Sequence, residues 1–255
     1  MTNPHGSFIW YELLTTDAEA ASGFYADVIG WEARDAGMAG IDYRLFSAGG
    51  EDVAGHMTIP KGAPAEMRPA WLGYIGVDDV DAAVSGIAAD DGRVHMPAMD
   101  MPGVGRMAMV ADPQGVPFYV MRGTSEQAST AFCAAEAGHC RWNELSTTDQ
   151  EGALAFYTRQ FGWERGDAMP MGALGDYRFV HHYGQMIGAV MPAQGPAPLW
   201  CFYFGVRDID AAAARITAGG GTLIQEPIEI PGGEYSLVAA DPQGVAFGLV
   251  GPRKA

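Results

Sequence analysis

The sequence predicts an α+β protein made of four β-α-β-β-β modules in tandem, two in each half of the chain. Three observations carry this. The pentapeptide DPQGV stands at Asp112–Val116 and again at Asp241–Val245. The stretch WYELLTTDAEAASGFYADVIGW (Trp10–Trp31) returns as WNELSTTDQEGALAFYTRQFGW (Trp142–Trp163). Trp10, Glu12, Asp17, Phe24, Tyr25, Gly30 and Trp31 all recur there 132 positions later. Finally, GVDDVDAA (76–83) returns as GVRDIDAA (205–212). Tyr43–Arg44 matches Tyr177–Arg178, and Trp71 matches Trp200. These pairs place one domain at 1–122 and a second at 139–255. Residues 123–138, rich in Ala, Ser and Thr, read as a linker.

Each element has a local reason. FIWYELL alternates like a half-buried strand. Thr16 or Asp17 then caps a helix over about residues 18–28, with Ala21, Phe24, Tyr25 and Val28 on one face, and Gly30 ends it. Strands follow at Trp31–Arg34, Tyr43–Ser47 and Val53–Ile59, with Gly49–Gly50 turning the last hairpin. The second module repeats the order. It has a strand at Trp71–Val77, a helix at Val80–Ala89 capped by Asp78 or Asp79, and strands at Arg93–Met96, Arg106–Ala111 and Val116–Met121. Residues 140–192 and 198–250 do the same again. In DPQGV, Asp can bond the backbone two residues on, Pro presets φ, and Gly supplies a positive φ. The motif therefore reads as a turn that the repeated fold needs twice.

Composition narrows the function. Fifteen basic against 31 acidic residues give a net charge of −16, which argues against nucleic acid and anionic membrane surfaces. No apolar run is long enough to span a bilayer, and the N-terminus lacks a signal-peptide pattern. Three cysteines, Cys133, Cys140 and Cys201, have no metal-type spacing and suit a reducing cytoplasm, as in a bacterial protein.

The residues 15–31, 76–83 and 102–120, with their second-half partners, resemble the vicinal oxygen chelate superfamily. That superfamily includes glyoxalase I, bleomycin-resistance proteins and extradiol dioxygenases. The resemblance covers nearly the whole chain and is nearest to the two-domain, glyoxalase-like subgroup. It implies paired modules whose sheets curl around cups. In metal-dependent relatives a divalent ion sits in the cup, held from the first and last strands of each module. Those positions fall here at Trp10, Leu72, Trp142 and Cys201, and near His56, at Tyr119, near Ala189 and at Gly248. Such a set is poor in ligands, so no metal cofactor is expected. The residual alternative is an improvised site using Glu12 and His56.

Alternation puts Trp10 and Glu12 on one strand face, and Trp142 and Glu144 on another. A carboxylate on a buried face needs a partner, and Arg44 and Arg178 are candidates; unpaired, it would be a base of raised pKa. Glu12 and Glu144 are thus the candidate catalytic residues. Trp10, His56, Tyr74, Tyr119, Trp142, His182, Trp200 and Tyr203 are the candidate ligand-binding residues. His181–His182 must turn one ring inward if it lies on a strand. Three functions remain open. The first is a metal-independent lyase, isomerase or cyclase acting on a small organic molecule. The second is a binding or sequestering protein without turnover. The third is a metal-dependent lyase or dioxygenase. The expected partner is a small molecule, and the expected state is a monomer or homodimer.

Overall fold

Aspartate side chains start all four α-helices of the computed structural model, which describes residues 3–38, 40–63, 67–195 and 197–254. In α1 (Ala18–Ile29), Asp17 accepts from the Ala20 amide at 2.9 Å. In α2 (Val80–Ala89), Asp79 accepts from Ala82 at 3.0 Å. In α3 (Gln150–Phe161) and α4 (Ile209–Ala218), Asp149 and Asp208 do the same for Gly152 and Ala211. Each carboxylate satisfies an amide that has no partner inside its helix. Gly30 (φ +89) and Gly162 (φ +71) end α1 and α3 in the left-handed conformation, which a glycine reaches at least cost.

Each helix follows the first strand of its module. The first module holds β1 (Phe8–Thr15), β2 (Glu32–Asp35), β3 (Tyr43–Ala48) and β4 (Glu51–Thr58). The second holds β5 (Ala70–Gly76), β6 (Arg93–Met101), β7 (Gly105–Ala111) and β8 (Pro117–Gly123). The third has β9 (Cys140–Thr147), β10 (Glu164–Pro170), β11 (Asp176–His182) and β12 (Gln185–Pro192). The fourth has β13 (Leu199–Gly205), β14 (Thr222–Glu229), β15 (Tyr235–Ala240) and β16 (Ala246–Gly251). The strands form two eight-stranded mixed sheets, ordered β2-β3-β4-β1-β5-β8-β7-β6 and β10-β11-β12-β9-β13-β16-β15-β14. Within each module the first and last strands pair in parallel and the hairpin strands antiparallel. The α+β fold and its tandem duplication are therefore as the repeats predict. Several strand boundaries move by one or more residues, two of them for a visible reason. Trp31 precedes β2, because its indole is buried and donates to the Gly138 carbonyl at 2.7 Å. β6 runs five residues past the expected Met96, to Met101, by slipping register on either side of Met96, beside Pro97. An edge strand tolerates a proline at such a bulge.

Proximity divides the chain into two compact units, each taking one module from either half. One unit combines the chain up to Ile9, Leu72–Ser129 and Trp142–Trp200. The other combines Trp10–Trp71, Thr130–Arg141 and the chain from Cys201. The same buried chain of hydrogen bonds lies in both. In the second unit the Trp71 indole donates to the Tyr25 hydroxyl at 3.0 Å, and Tyr25 donates to Asp241 at 3.1 Å. In the first, Trp200 donates to Tyr157 at 3.3 Å, and Tyr157 donates to Asp112 at 3.2 Å. Asp112 and Asp241 are the aspartates of the two DPQGV turns. Their other carboxylate oxygens accept from the Val116 amide at 2.8 Å and the Val245 amide at 2.9 Å, closing each turn. The motif is a turn, as its chemistry suggests, and also a buried anchor. Burial pushes both aspartates above the usual carboxylate range and both tyrosines well above theirs. Among the described residues no helix is long and apolar enough to cross a membrane.

Replacing Tyr25 or Tyr157 by Phe strands a buried carboxylate oxygen and a buried indole N–H. Each change should lower the unfolding free energy by about 2–3 kcal/mol, read from urea denaturation midpoints.

Candidate functional site

Strand parity decides which of the candidate residues can meet. In the first module Glu12 lies beside Gly55 across the parallel β1–β4 pair, and Leu13 lies beside His56. Glu12 and Gly55 therefore share one face and His56 takes the other. Tyr43 joins the Glu12 face, and a side chain at Gly55 would strike its hydroxyl. Trp10 shares this face and donates its indole N–H to the Tyr43 oxygen at 2.9 Å. Glu12 is only 5% exposed.

His56 is fully buried against α1 rather than beside Glu12. Its Nε2 lies 2.7 Å from Ser22 Oγ, and its ring stacks on Phe46 at 4.0 Å. Ser22 spends its own proton on the Ala18 carbonyl, so it accepts from Nε2–H. That assignment leaves Nδ1 as the lone-pair nitrogen, and it is buried without a partner. Burial, and secondarily the Arg44 guanidinium, lower the pKa of His56 to about 4. Parity puts Glu12 and His56 on opposite faces of the sheet, so the two do not meet as the improvised pair expected from the sequence. The same rule corrects the expected Glu–Arg pairs. Arg44 lies beside His56, and Arg178 beside Val190, on the faces away from Glu12 and Glu144. Arg44 pairs instead with Glu19 at 2.5 Å and Asp42 at 3.0 Å.

The third module shows what a matching face looks like when it opens. Glu144 lies beside Ala189, and Phe179 lies beside Ala189 from the other strand. Trp142 Nε1 donates to the Tyr177 oxygen at 2.7 Å, and the Tyr177 hydroxyl donates to Glu144 Oε2 at 2.6 Å. Phe179 packs edge-on against Tyr177 and Trp142, with ring centroids 5.7 and 6.0 Å away. Trp142, Glu144, Tyr177 and Phe179 are all half-buried, so this aromatic face holds its carboxylate within reach of solvent.

The remaining candidates separate. In the second module Tyr74 and Tyr119 are register partners and stack at 4.3 Å, with Met109 beside Tyr119 on the same face. In the fourth, Tyr203 lies beside Gly248, where any side chain would meet its ring. Trp200 stands three residues before Tyr203 and so faces the other way, into the Tyr157 core. His182 is the inward member of its pair. It donates Nε2–H to the His5 carbonyl at 2.9 Å, and burial lowers its pKa. It ties the turn before β1 to the end of β11 within the first unit. Trp200, His56 and His182 are therefore packed in cores, away from the faces that carry Glu12 and Glu144.

The family's first-strand metal positions hold Trp10, Leu72, Trp142 and Cys201, and the faces beside them present Gly55, Tyr119, Ala189 and Gly248. Among the described residues no three His, Cys, Asp or Glu side chains converge. This donor set does not fit a divalent ion.

A model of the Glyoxalase/Bleomycin resistance protein/Dioxygenase superfamily matches residues 7–120 and again 137–249. The chain belongs to that superfamily. Among its curated relatives, a provisionally named glyoxylase, CFP32, of Mycobacterium tuberculosis is 38% identical over 95% of this chain and 94% of its own. The anthracycline biosynthesis protein DnrV of Streptomyces peucetius is 32% identical over 96% of this chain and 93% of its own. Two solved structures show the fold. A Mn(II)-bound glyoxalase from Novosphingobium aromaticivorans aligns with a TM-score of 0.63 at 19% identity, over 99% of this chain and 83% of that one. A 2,2',3-trihydroxybiphenyl 1,2-dioxygenase from Sphingomonas wittichii aligns at 0.67 and 16%, over 98% and 90%.

Within this superfamily member, the residues that sequence reasoning passed over are Tyr43, Tyr177 and Phe179. The matched Tyr–Arg pairs were visible, but the register that brings a phenol to a carboxylate was not. His56 offers a check on the burial described above. Its depressed pKa means the unfolded chain binds more protons between about pH 6.5 and 4, so its contribution is intact above pH 6.5 and is lost as pH falls through that window. His56→Val, the residue found at matching Val190, should flatten the fall in stability between pH 7 and pH 4.5 by roughly 2 kcal/mol, measured by urea unfolding.

Proposed function

We propose that this protein binds a small, flat, largely apolar organic molecule and acts on it, when it acts, through acid–base groups rather than a metal. The observation that carries the reading is the half-exposed face of Trp142, Tyr177 and Phe179 around Glu144. Aromatic rings offer broad contact for a planar ligand, and a carboxylate among them can orient a polar edge or move a proton. The poverty of ligands at the family's metal positions supports the same reading. The anthracycline-biosynthesis relatives point to a polycyclic, oxygenated ligand class. Three cysteines without metal-type spacing, together with the acidic charge, suit a cytoplasmic protein acting on metabolites, as a monomer or homodimer.

A second reading has its own support. The Trp-x-Glu pattern recurs in both halves, and a protein that only sequesters its ligand can use two such faces at once. Turnover separates the two readings, and binding is common to both.

Tryptophan fluorescence titrated with 2-hydroxyanthraquinone tests binding. Saturable quenching is expected, unchanged by prior EDTA treatment. Trp142→Ala should weaken it at least tenfold, about 1.4 kcal/mol. Quenching abolished by EDTA and restored by Mn(II) or Fe(II) would favour the metal-dependent alternative.

A further inference from the structure

We propose that Tyr177, not a carboxylate, is the group that exchanges a proton with the bound molecule, and that its substrates are enolisable aromatic ketones. This rests on the function proposed above and assigns the chemistry to the second half of the chain. Three observations lead here. First, Tyr177 stands in the middle of a directed chain: Trp142 Nε1 donates into its oxygen at 2.7 Å, and its own proton points at Glu144 Oε2, 2.6 Å away. A phenol held this way can take a proton at its oxygen while handing its own to the carboxylate, so no charged phenolate is needed. Second, the face is reachable. Glu144 and Tyr177 are half-buried, whereas Glu12 in the first half is 5% exposed. Third, the halves differ at the matched neighbours. Phe179 flanks Tyr177 where Leu45 follows Tyr43, and Ala189 lies beside Glu144 where Gly55 lies beside Glu12.

The C–H bond next to the ketone carbonyl breaks and its electron pair passes into the enolate. The proton goes to Tyr177 Oη as the Tyr177 proton goes to Glu144 Oε2. Reversal returns a proton to carbon. No oxidant, reductant or metal enters. Glu144 is a positioning residue and the proton's terminus; Trp142 fixes the phenol's rotation.

The test follows exchange of the C1 protons of 2-tetralone for deuterium, by proton NMR in D2O, with the intact chain. Binding is followed separately by tryptophan quenching with the same ketone. The wild-type protein should speed exchange at least tenfold over buffer. Tyr177→Phe should fall to the buffer rate while quenching keeps its midpoint within about threefold. Glu144→Gln should lose the acceleration too, and with it the acid limb of the exchange-rate profile, whereas Glu144→Asp should recover part of both. Exchange that survives Tyr177→Phe, or binding without any acceleration in the wild type, would overturn the proposal and leave the binding reading standing. Absence of quenching by both 2-tetralone and 2-hydroxyanthraquinone would overturn the binding reading itself, and this proposal with it.

Discussion

The fold depends on a buried indole–phenol–carboxylate chain made twice. Trp71, Tyr25 and Asp241 form one copy, and Trp200, Tyr157 and Asp112 form the other. In each, the phenol comes from a helix and the carboxylate from a turn far away in sequence. A buried aspartate would cost several kcal/mol without partners. Here one oxygen closes its own turn and the other is met by a phenol from the partner module. The polar chain thus fixes which modules meet, while the surrounding rings supply the burial. Tyr25 touches Trp31, Phe46, Trp71 and Phe247, and Tyr157 touches Phe118, Phe161, Trp163 and Trp200.

This arrangement explains what could be read from the chain and what could not. Helix starts were legible because an aspartate in front of an amphipathic run has one good use. Asp17, Asp79, Asp149 and Asp208 all serve it. Modules and strand order were legible because repeats expose them. DPQGV was legible as a turn, yet its burial was hidden, because the partner of Asp112 lies 45 residues away in another module. Site residues fared less evenly. Trp10 and Glu12, like Trp142 and Glu144, share faces because they stand two apart on one strand. His56 was misplaced among them, since parity across neighbouring strands depends on register, and register is not written in composition; Trp200, three residues before Tyr203 on the same strand, faces away from it by alternation alone. Gly55, not His56, faces Glu12, and only the pairing of β1 with β4 shows it.

The two matched faces have diverged under one constraint. Both keep a tryptophan donating to a tyrosine, at 2.9 Å in the first half and 2.7 Å in the second. In the first, a glycine lets the phenol settle onto the strand and the glutamate is sealed. In the second, an alanine stands at the matching place and the glutamate stays within reach.

Because either compact unit draws on both repeats, a nick in the 123–138 connector would not release two autonomous folds. Each fragment would carry one tyrosine and one aspartate of the pattern, and neither would hold its own mate. The pieces would have to reassemble by fragment complementation. The gene duplication behind this chain thus left its products mutually obligate, and loss of either copy would unmake two interiors at once.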